Sequence, residues 1–229
     1  MNNLIIGANS FLGKEICKQL LIKKNEIVAV YNKNTDNLLE NIRSISIKEM
    51  FLQSNNYDII YIVSAYIPKI NDDNIEEKLQ NANVNLVSKI CQKFPNSKII
   101  YCSSVSVYKV TDDVIYEKSE TNPDSLYGKS KLQGEEIVKM QKKHSIVRIA
   151  SMFGIGMKES TFLPAIINCA IKTKKIHLIG NGSRLQNYIS VKDVANYLIE
   201  SSKSNNNKPS LNSLYVAANS LFVNSIVSL

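Results

Sequence analysis

Short apolar runs separated by longer segments of helical period constrain this chain more than any other feature. The runs are "NLIIG" (3–7), "EIVAVY" (26–31), "DIIYIVS" (58–64), "SKIIYCS" (97–103), "SIVRIA" (145–150), "IHLIG" (176–180) and "SLYVAA" (213–218). They are rich in β-branched residues and read as strands. Between them, helical periodicity predicts helices near 11–23, 36–54 (broken), 75–93, 125–143, 159–173 and 191–203. Strands apolar on both faces need helices above and below. The alternation therefore predicts an α/β fold with a Rossmann-like, doubly wound parallel sheet, whose ligands sit at the carboxyl ends of the strands.

With 229 residues the chain can bury one sizeable core, so a single domain with at most a small appendage is expected. No apolar run approaches the roughly 18 residues a membrane helix needs. The opening "MNNLIIGANS" lacks the charged start and cleavage site of a signal peptide, and a cytoplasmic location is expected. Cys17, Cys91, Cys102 and Cys169 are scattered singly, and His144 and His177 are the only histidines, so neither a metal site nor a serine/histidine hydrolase is expected. The net charge of +8 comes from dispersed lysines, with only short clusters such as "KTKK" (172–175). Without interleaved aromatics this reads as solvated helix faces rather than a nucleic-acid surface, and it suits attraction to phosphorylated small molecules.

The first strand runs directly into "GANSFLG", Gly7 to Gly13. Such a turn aims the N–H groups of a helix start at an anion, and glycine lets a pyrophosphate approach the backbone. A tight strand-to-helix connection would use the same residues, and Ser10 stands where a third glycine would make the case. The candidate cofactor contacts here are Gly7, Ser10, Phe11, Leu12 and Gly13. After the second strand comes "YNKN", Tyr31 to Asn34, with no acid for a ribose 2′-OH. Tyr31, Asn32 and Lys33 are candidate contacts, and Lys33 favours NADP(H) over NAD(H) because it could pair with a 2′-phosphate.

"YGKSK" puts Tyr127 and Lys131 four residues apart, on one helix face. A phenol is a poor base near neutrality, and an adjacent ammonium lowers its pKa. Tyr127 could then shuttle a proton to or from an alcohol oxygen while a hydride moves to a nicotinamide. The pattern is common by chance, and Tyr188 with Lys192 supplies it again. The first copy is distinguished by the preceding "CSSVSVY" (102–108), which sets Ser104 at a strand end; Tyr188 reads as packing.

In order along the chain, "GANSFLG", "NVN" (83–85), "SSVSVY" (103–108), "YGKSK" and "GNGSRLQNYISVKDVA" (180–195) resemble the extended short-chain dehydrogenase/reductase family, in its nucleotide-sugar epimerase/dehydratase branch. The resemblance implies catalytic Ser104, Tyr127 and Lys131, with Lys131 also on the nicotinamide ribose. It implies cofactor contacts at Ser64, Ala65 and Asn83, substrate contacts at Ser104, Tyr127, Ser151 and Gln186, and a structural helix cap at Asp193. Val105 and Ser106 replace the Asp-Glu pair of the 4,6-dehydratases, which argues against dehydration. Gln186 and Ser151 stand where many members carry a diphosphate-gripping arginine and a substrate-contacting asparagine. Relatives continue beyond "SLFVNSIVSL", so 151–229 is expected to contribute a small substrate lobe to a single Rossmann-type NAD(P)-binding domain, the lobe being reduced or the chain a shortened form.

The function expected is an NAD(P)-dependent oxidoreductase acting on a nucleotide-linked sugar by keto-sugar reduction. The alternatives are an epimerase with tightly bound NAD and a non-catalytic dinucleotide-binding sensor or partner-binding module. A homodimer through helices 125–143 and 75–93 is implied by the resemblance alone.

Overall fold

A computed structural model of the chain describes residues 1–69, 71–109, 115–176, 186–203, 213–217 and 219–221. Its principal sheet has seven strands: β1 (Asn2–Ile6), β2 (Glu26–Tyr31), β3 (Arg43–Ser46), β4 (Ile59–Ile62), β5 (Lys98–Ser104), β6 (His144–Ile149) and β9 (Ser213–Ala217). They lie in the order β3-β2-β1-β4-β5-β6-β9, every neighbouring pair parallel. The order reverses beside β1, where a crevice opens at the carboxyl ends of the strands.

Period-2 alternation inside the apolar runs assigns each side chain to one of two cores. Ile5, Ala29, Tyr61, Ile100 and Val147 pack against α1 (Phe11–Ile22) and α7 (Val191–Lys203) through Leu12, Ile16, Val194 and Leu198. Their neighbours Leu4, Ile6, Val28, Ile60, Ile62, Ile99 and Tyr101 face α2 (Ile47–Leu52), α4 (Leu86–Lys93) and α5 (Leu126–Lys139). Both faces of the sheet are thus covered by helices, as strands without a polar face require.

The segment 36–54, read as a broken helix, instead contains β3 and the six-residue α2. Pairing of Arg43 to Ser46 with β2 extends the sheet, and a capping box starts the helix immediately afterwards: the Ser46 side chain accepts from the Glu49 N–H, and the Glu49 carboxylate from the Ser46 N–H. The predicted helix 75–93 is continuous but mixed: α3 (Ile75–Leu79), a π segment (Gln80–Asn85), then α4. Helix α6 covers Phe162–Thr173.

A second sheet, not anticipated, has the order β10-β8-β7 and joins β7 (Ser151–Phe153), β8 (Gln186–Ser190) and β10 (Asn219–Leu221). Three to five residues are too few to show a period. The expected strand 176–180 falls, after Ile176, outside the described residues, as does the loop 204–210. No described helix is long and apolar enough to cross a membrane.

Candidate active site

Where β1, β4, β5 and β6 end, a cavity of ≈ 1650 Å³ opens between the sheet, the start of α1, the first half of α5, β7, β8 and α6. Sites for one small ligand run to roughly 300–1,000 Å³, so this space suits two ligands side by side.

The turn after β1 is built for close approach. Gly7 has φ +91°, and a Cβ there would stand 2.8 Å from the Ser64 backbone nitrogen; a Cβ on Gly13 would strike the Gly7 carbonyl oxygen. Both positions therefore demand glycine. Ser10 has an ordinary extended backbone and caps α1, its Oγ accepting from the Gly13 N–H at 3.0 Å. This cap leaves the Phe11 and Leu12 amides without an intrachain acceptor among the described residues. They are free to meet an anion at the cavity wall, so the turn fits a pyrophosphate.

Beyond β2 the cavity wall is made by residues further along the chain than "YNK". Tyr31, Asn32 and Lys33 do not line the cavity; Asn34, Asp36 and Asn37 do. The Asn9 amide donates to the Asn34 backbone oxygen at 3.1 Å and to its Oδ1 at 3.0 Å, drawing this segment toward the α1 turn. An acid, Asp36, is therefore present five residues past the strand end, beyond "YNKN".

Asn83 is 1 % exposed in the π segment and does not line the cavity. Its Oδ1 accepts from the Tyr66 N–H at 2.8 Å, and its Nδ2 donates to the Tyr66 carbonyl and the Ser130 Oγ, each at 3.0 Å. Both side-chain polar atoms of Asn83 are thereby engaged in tying the loop after β4, which carries Ala65 and Ile67 into the cavity wall, to α5. Ser64 stands behind that wall against Gly7.

Tyr127 and Lys131 both line the cavity from the first turns of α5, which starts on a Ser125 cap bonded to the Gly128 N–H at 3.0 Å. Lys131 is 2 % exposed, and burial lowers its pKa to about 8, with Cys102 and Glu135 pulling it back up. Burial also raises the Tyr127 pKa, reinforced by Cys102 and opposed by a hydrogen bond with Ser104. The lowering expected from the Tyr127/Lys131 spacing is not what the site shows: desolvation dominates, and the contact that lowers the Tyr127 pKa comes from Ser104. Ser104 caps the short 3₁₀ turn Val105–Val107, bonding the Ser106 hydroxyl and N–H at 3.1 Å, and stands behind the wall.

Below this pair lies a buried polar brace that sequence reasoning missed. Glu135, one turn beyond Lys131 and 0 % exposed, accepts from the Ser103 hydroxyl at 2.6 Å and from Arg148 Nε and Nη2 at 2.9 and 2.6 Å. Arg148 also donates to the Tyr108 hydroxyl at 2.8 Å. Tyr127, Lys131 and Glu135 recur at intervals of four, so the helical period itself held the signal.

Ser151 on β7 and Gln186 on β8 both line the cavity, and the Gln186 amide donates to the Ser151 hydroxyl at 2.5 Å. Tyr188 is buried on β8 and lines the cavity, whereas Lys192 is exposed on α7, so the second YxxxK pair shares no helix face. Asp193 lies in the first turn of α7, while the Ser190 hydroxyl accepts from the Lys192 N–H.

A glycine turn with two free helix-start amides, an acid past β2 and a Tyr/Lys pair thus share one cavity at the carboxyl ends of a parallel sheet. Residues 3–216 match the NAD dependent epimerase/dehydratase family, and the chain belongs to that family. No curated protein matches the sequence significantly. Among solved structures, the chain is similar over its whole length to MoeE5 in complex with UDP-glucose and NAD (22% identity, 80% of that chain, TM-score 0.79). It is likewise similar to UDP-glucuronic acid 4-epimerase from Bacillus cereus in complex with NAD (18% identity, 100% of this chain and 82% of that one, TM-score 0.83). A third is dTDP-glucose 4,6-dehydratase from Bacillus anthracis in complex with NAD (18% identity, 100% and 79% coverage, TM-score 0.80).

Proposed function

We propose that this chain catalyses reversible hydride transfer at an alcohol carbon of a nucleotide-linked sugar, with NAD(H) as its cofactor. One observation carries the reading: a single cavity brings together the free amides of the α1 turn and the Tyr127/Lys131 pair. The UDP-glucose complex of MoeE5 and the nucleotide-sugar enzymes among the other similar structures support the substrate class.

In this reading Gly7, Ser10, Phe11, Leu12 and Gly13 form the pyrophosphate cradle, with Ser64 and Ala65 alongside. Asp36, on the cavity wall where Lys33 is not, favours NAD(H) over NADP(H). Its carboxylate accepts from a ribose 2′-OH and repels a 2′-phosphate. When bound, the cofactor takes up or returns the hydride. Tyr127 moves the proton at the sugar oxygen, Ser104 supports Tyr127 through its hydrogen bond from behind the wall, and Lys131 holds positive charge beside them. Asn83 acts through the β4 loop and α5. The substrate side is formed by β7, α6 and β8, where Ser151 and Gln186 meet the sugar or its diphosphate, whereas α7 and β9 belong to the principal core and sheet.

Ser104 is followed by Val105 and Ser106, neither of which can serve as the acid/base that dehydration needs. Ketoreduction and epimerisation remain, and they differ in cofactor turnover. With Asp36 on the wall, an epimerase that retains its NAD fits as well as a reductase. Calorimetry with NAD⁺ and NADP⁺, followed by incubation with UDP-sugars, tests the proposal. Interconversion without added NADH assigns an epimerase, and dependence on added NADH a reductase. Binding without turnover of any sugar, unaffected by Tyr127→Phe, assigns a dinucleotide-binding module, and absence of binding overturns the reading.

A further inference from the structure

Tyr101 lies on β5 directly beneath α5 and is 0 % exposed. The Lys131 Nζ stands 4.0 Å from the centroid of its ring. At that distance the negative face of a phenol attracts an ammonium, more strongly when both are withdrawn from water. The Tyr101 hydroxyl, by contrast, has no hydrogen-bond partner among the described residues. It is accommodated because position 134 on α5 is glycine: a Cβ there would strike the Tyr101 hydroxyl oxygen. A buried phenol without a hydrogen bond is costly, and a phenylalanine would fill the core more cheaply. What the ring does provide is its face, presented to the one lysine on the cavity wall that is almost wholly buried.

We propose that Tyr101 is a positioning residue for Lys131, its ring face serving as the floor that holds the side chain as an ammonium at the cavity wall. This deepens the proposed function and rests on it for the role of Lys131, although the contact itself does not depend on which reaction is catalysed. The other titratable groups facing Lys131 are Tyr127 and Glu135 from α5 and Cys102 from β5, with Arg148 of β6 paired to Glu135 behind them. The π segment packed on α5 contributes the uncharged Asn83. Burial drives the Lys131 ammonium toward its neutral form, and the carboxylate and the ring face both oppose that.

The test is the pH dependence of lysine acylation in the full-length protein, followed by mass spectrometry of the peptide that carries "YGKSK". Exposed Lys129 in the same peptide is the internal standard. In Tyr101→Leu the Lys131 midpoint is expected to fall by about one pH unit, because a desolvated cation–π contact is worth about that much. In Tyr101→Phe, which keeps the ring face and removes the unbonded hydroxyl, the midpoint is expected to stay at the wild-type value while the melting temperature stays level or rises. Tyr101→Met replaces Leu should the latter fail to fold, with the same fall expected. An unchanged midpoint in the Leu or Met variant overturns the proposal, as does a fall in the Phe variant equal to theirs. None of these readouts depends on turnover, so failure of the oxidoreductase reading would leave the result interpretable.

Discussion

Glu135 and Arg148 form a two-point ion pair wholly inside the protein, 0 % and 4 % exposed, and it joins the helix bearing Tyr127 and Lys131 to the sixth strand. Removing one partner leaves the other as an uncompensated buried charge. Glu135→Ala is therefore expected to cost about 3–5 kcal/mol, read as a fall in the urea midpoint. The double variant Glu135→Met, Arg148→Met should lose much less than the two single losses combined, since it buries no charge. A double variant as unstable as the sum would show that the two residues contribute independently, and would contradict the assignment of the single losses to an unpaired buried charge.

Lys131 makes stability depend on pH in the direction opposite to a salt-bridged lysine. Its pKa is about 8 in the folded chain and 10.5 as the unperturbed value, so between these limits the unfolded state binds more protons and stability rises with pH. Below about pH 8 the cost of burying the ammonium is fully present. Lys131→Met should consequently be more stable than the native chain at pH 7, by about 1–3 kcal/mol, with the gain shrinking as the pH approaches 10. Chemical denaturation of both proteins from pH 6.5 to 9.5 measures this, and a gain that grew with pH would contradict it.

Ser10 accepts from the Gly13 amide, and its loss should be felt as the loss of a helix cap. Ser10→Ala is expected to destabilise by about 1 kcal/mol and Ser10→Gly by only a few tenths. NAD⁺ affinity should survive Ser10→Gly within a few fold, because the Phe11 and Leu12 amides, not the hydroxyl, are free for the anion. Equilibrium unfolding and calorimetry on the two variants separate the effects.

Asp36 lines the cavity just past β2, on the segment that Asn9 draws toward the α1 turn. Asp36→Ala should weaken NAD⁺ binding about tenfold, the worth of one charge-assisted hydrogen bond, while affecting NADP⁺ less or improving it. Lys33→Ala, by comparison, should change neither affinity by more than about twofold, as expected for an exposed side chain away from the wall. Titration of both variants with both dinucleotides decides between the two residues.

The parallel sheet was readable because its strands are buried on both faces, leaving unbroken apolar runs such as Ile59–Ile62. What escaped were elements defined by their neighbours: β3 is strand because β2 offers it an edge, and β7 and β8 because they pair with each other. The same distinction runs through the site. Tyr127 and Lys131 are linked by a local period and were visible, whereas Asp36 reaches the wall through a loop whose course depends on Asn9. Likewise, the clamp of Asn83 on Tyr66 and the Glu135–Arg148 pair span 17 and 13 residues, and no local pattern ties such positions together.

The pairing of β6 with β9, Ser145 opposite Ser213, has a consequence for the order of synthesis. A ribosome adding ~5–20 residues per second delivers the outer strand some seconds after the inner one. Throughout that interval β6, whose six residues are all buried in the finished protein, is an unprotected sheet margin able to recruit strands from other nascent chains. Its one charged side chain need not wait, because Glu135 has already been made when Arg148 emerges. Chains halted before residue 213 would keep that margin open, and self-association in crowded polysomes is the hazard this topology carries.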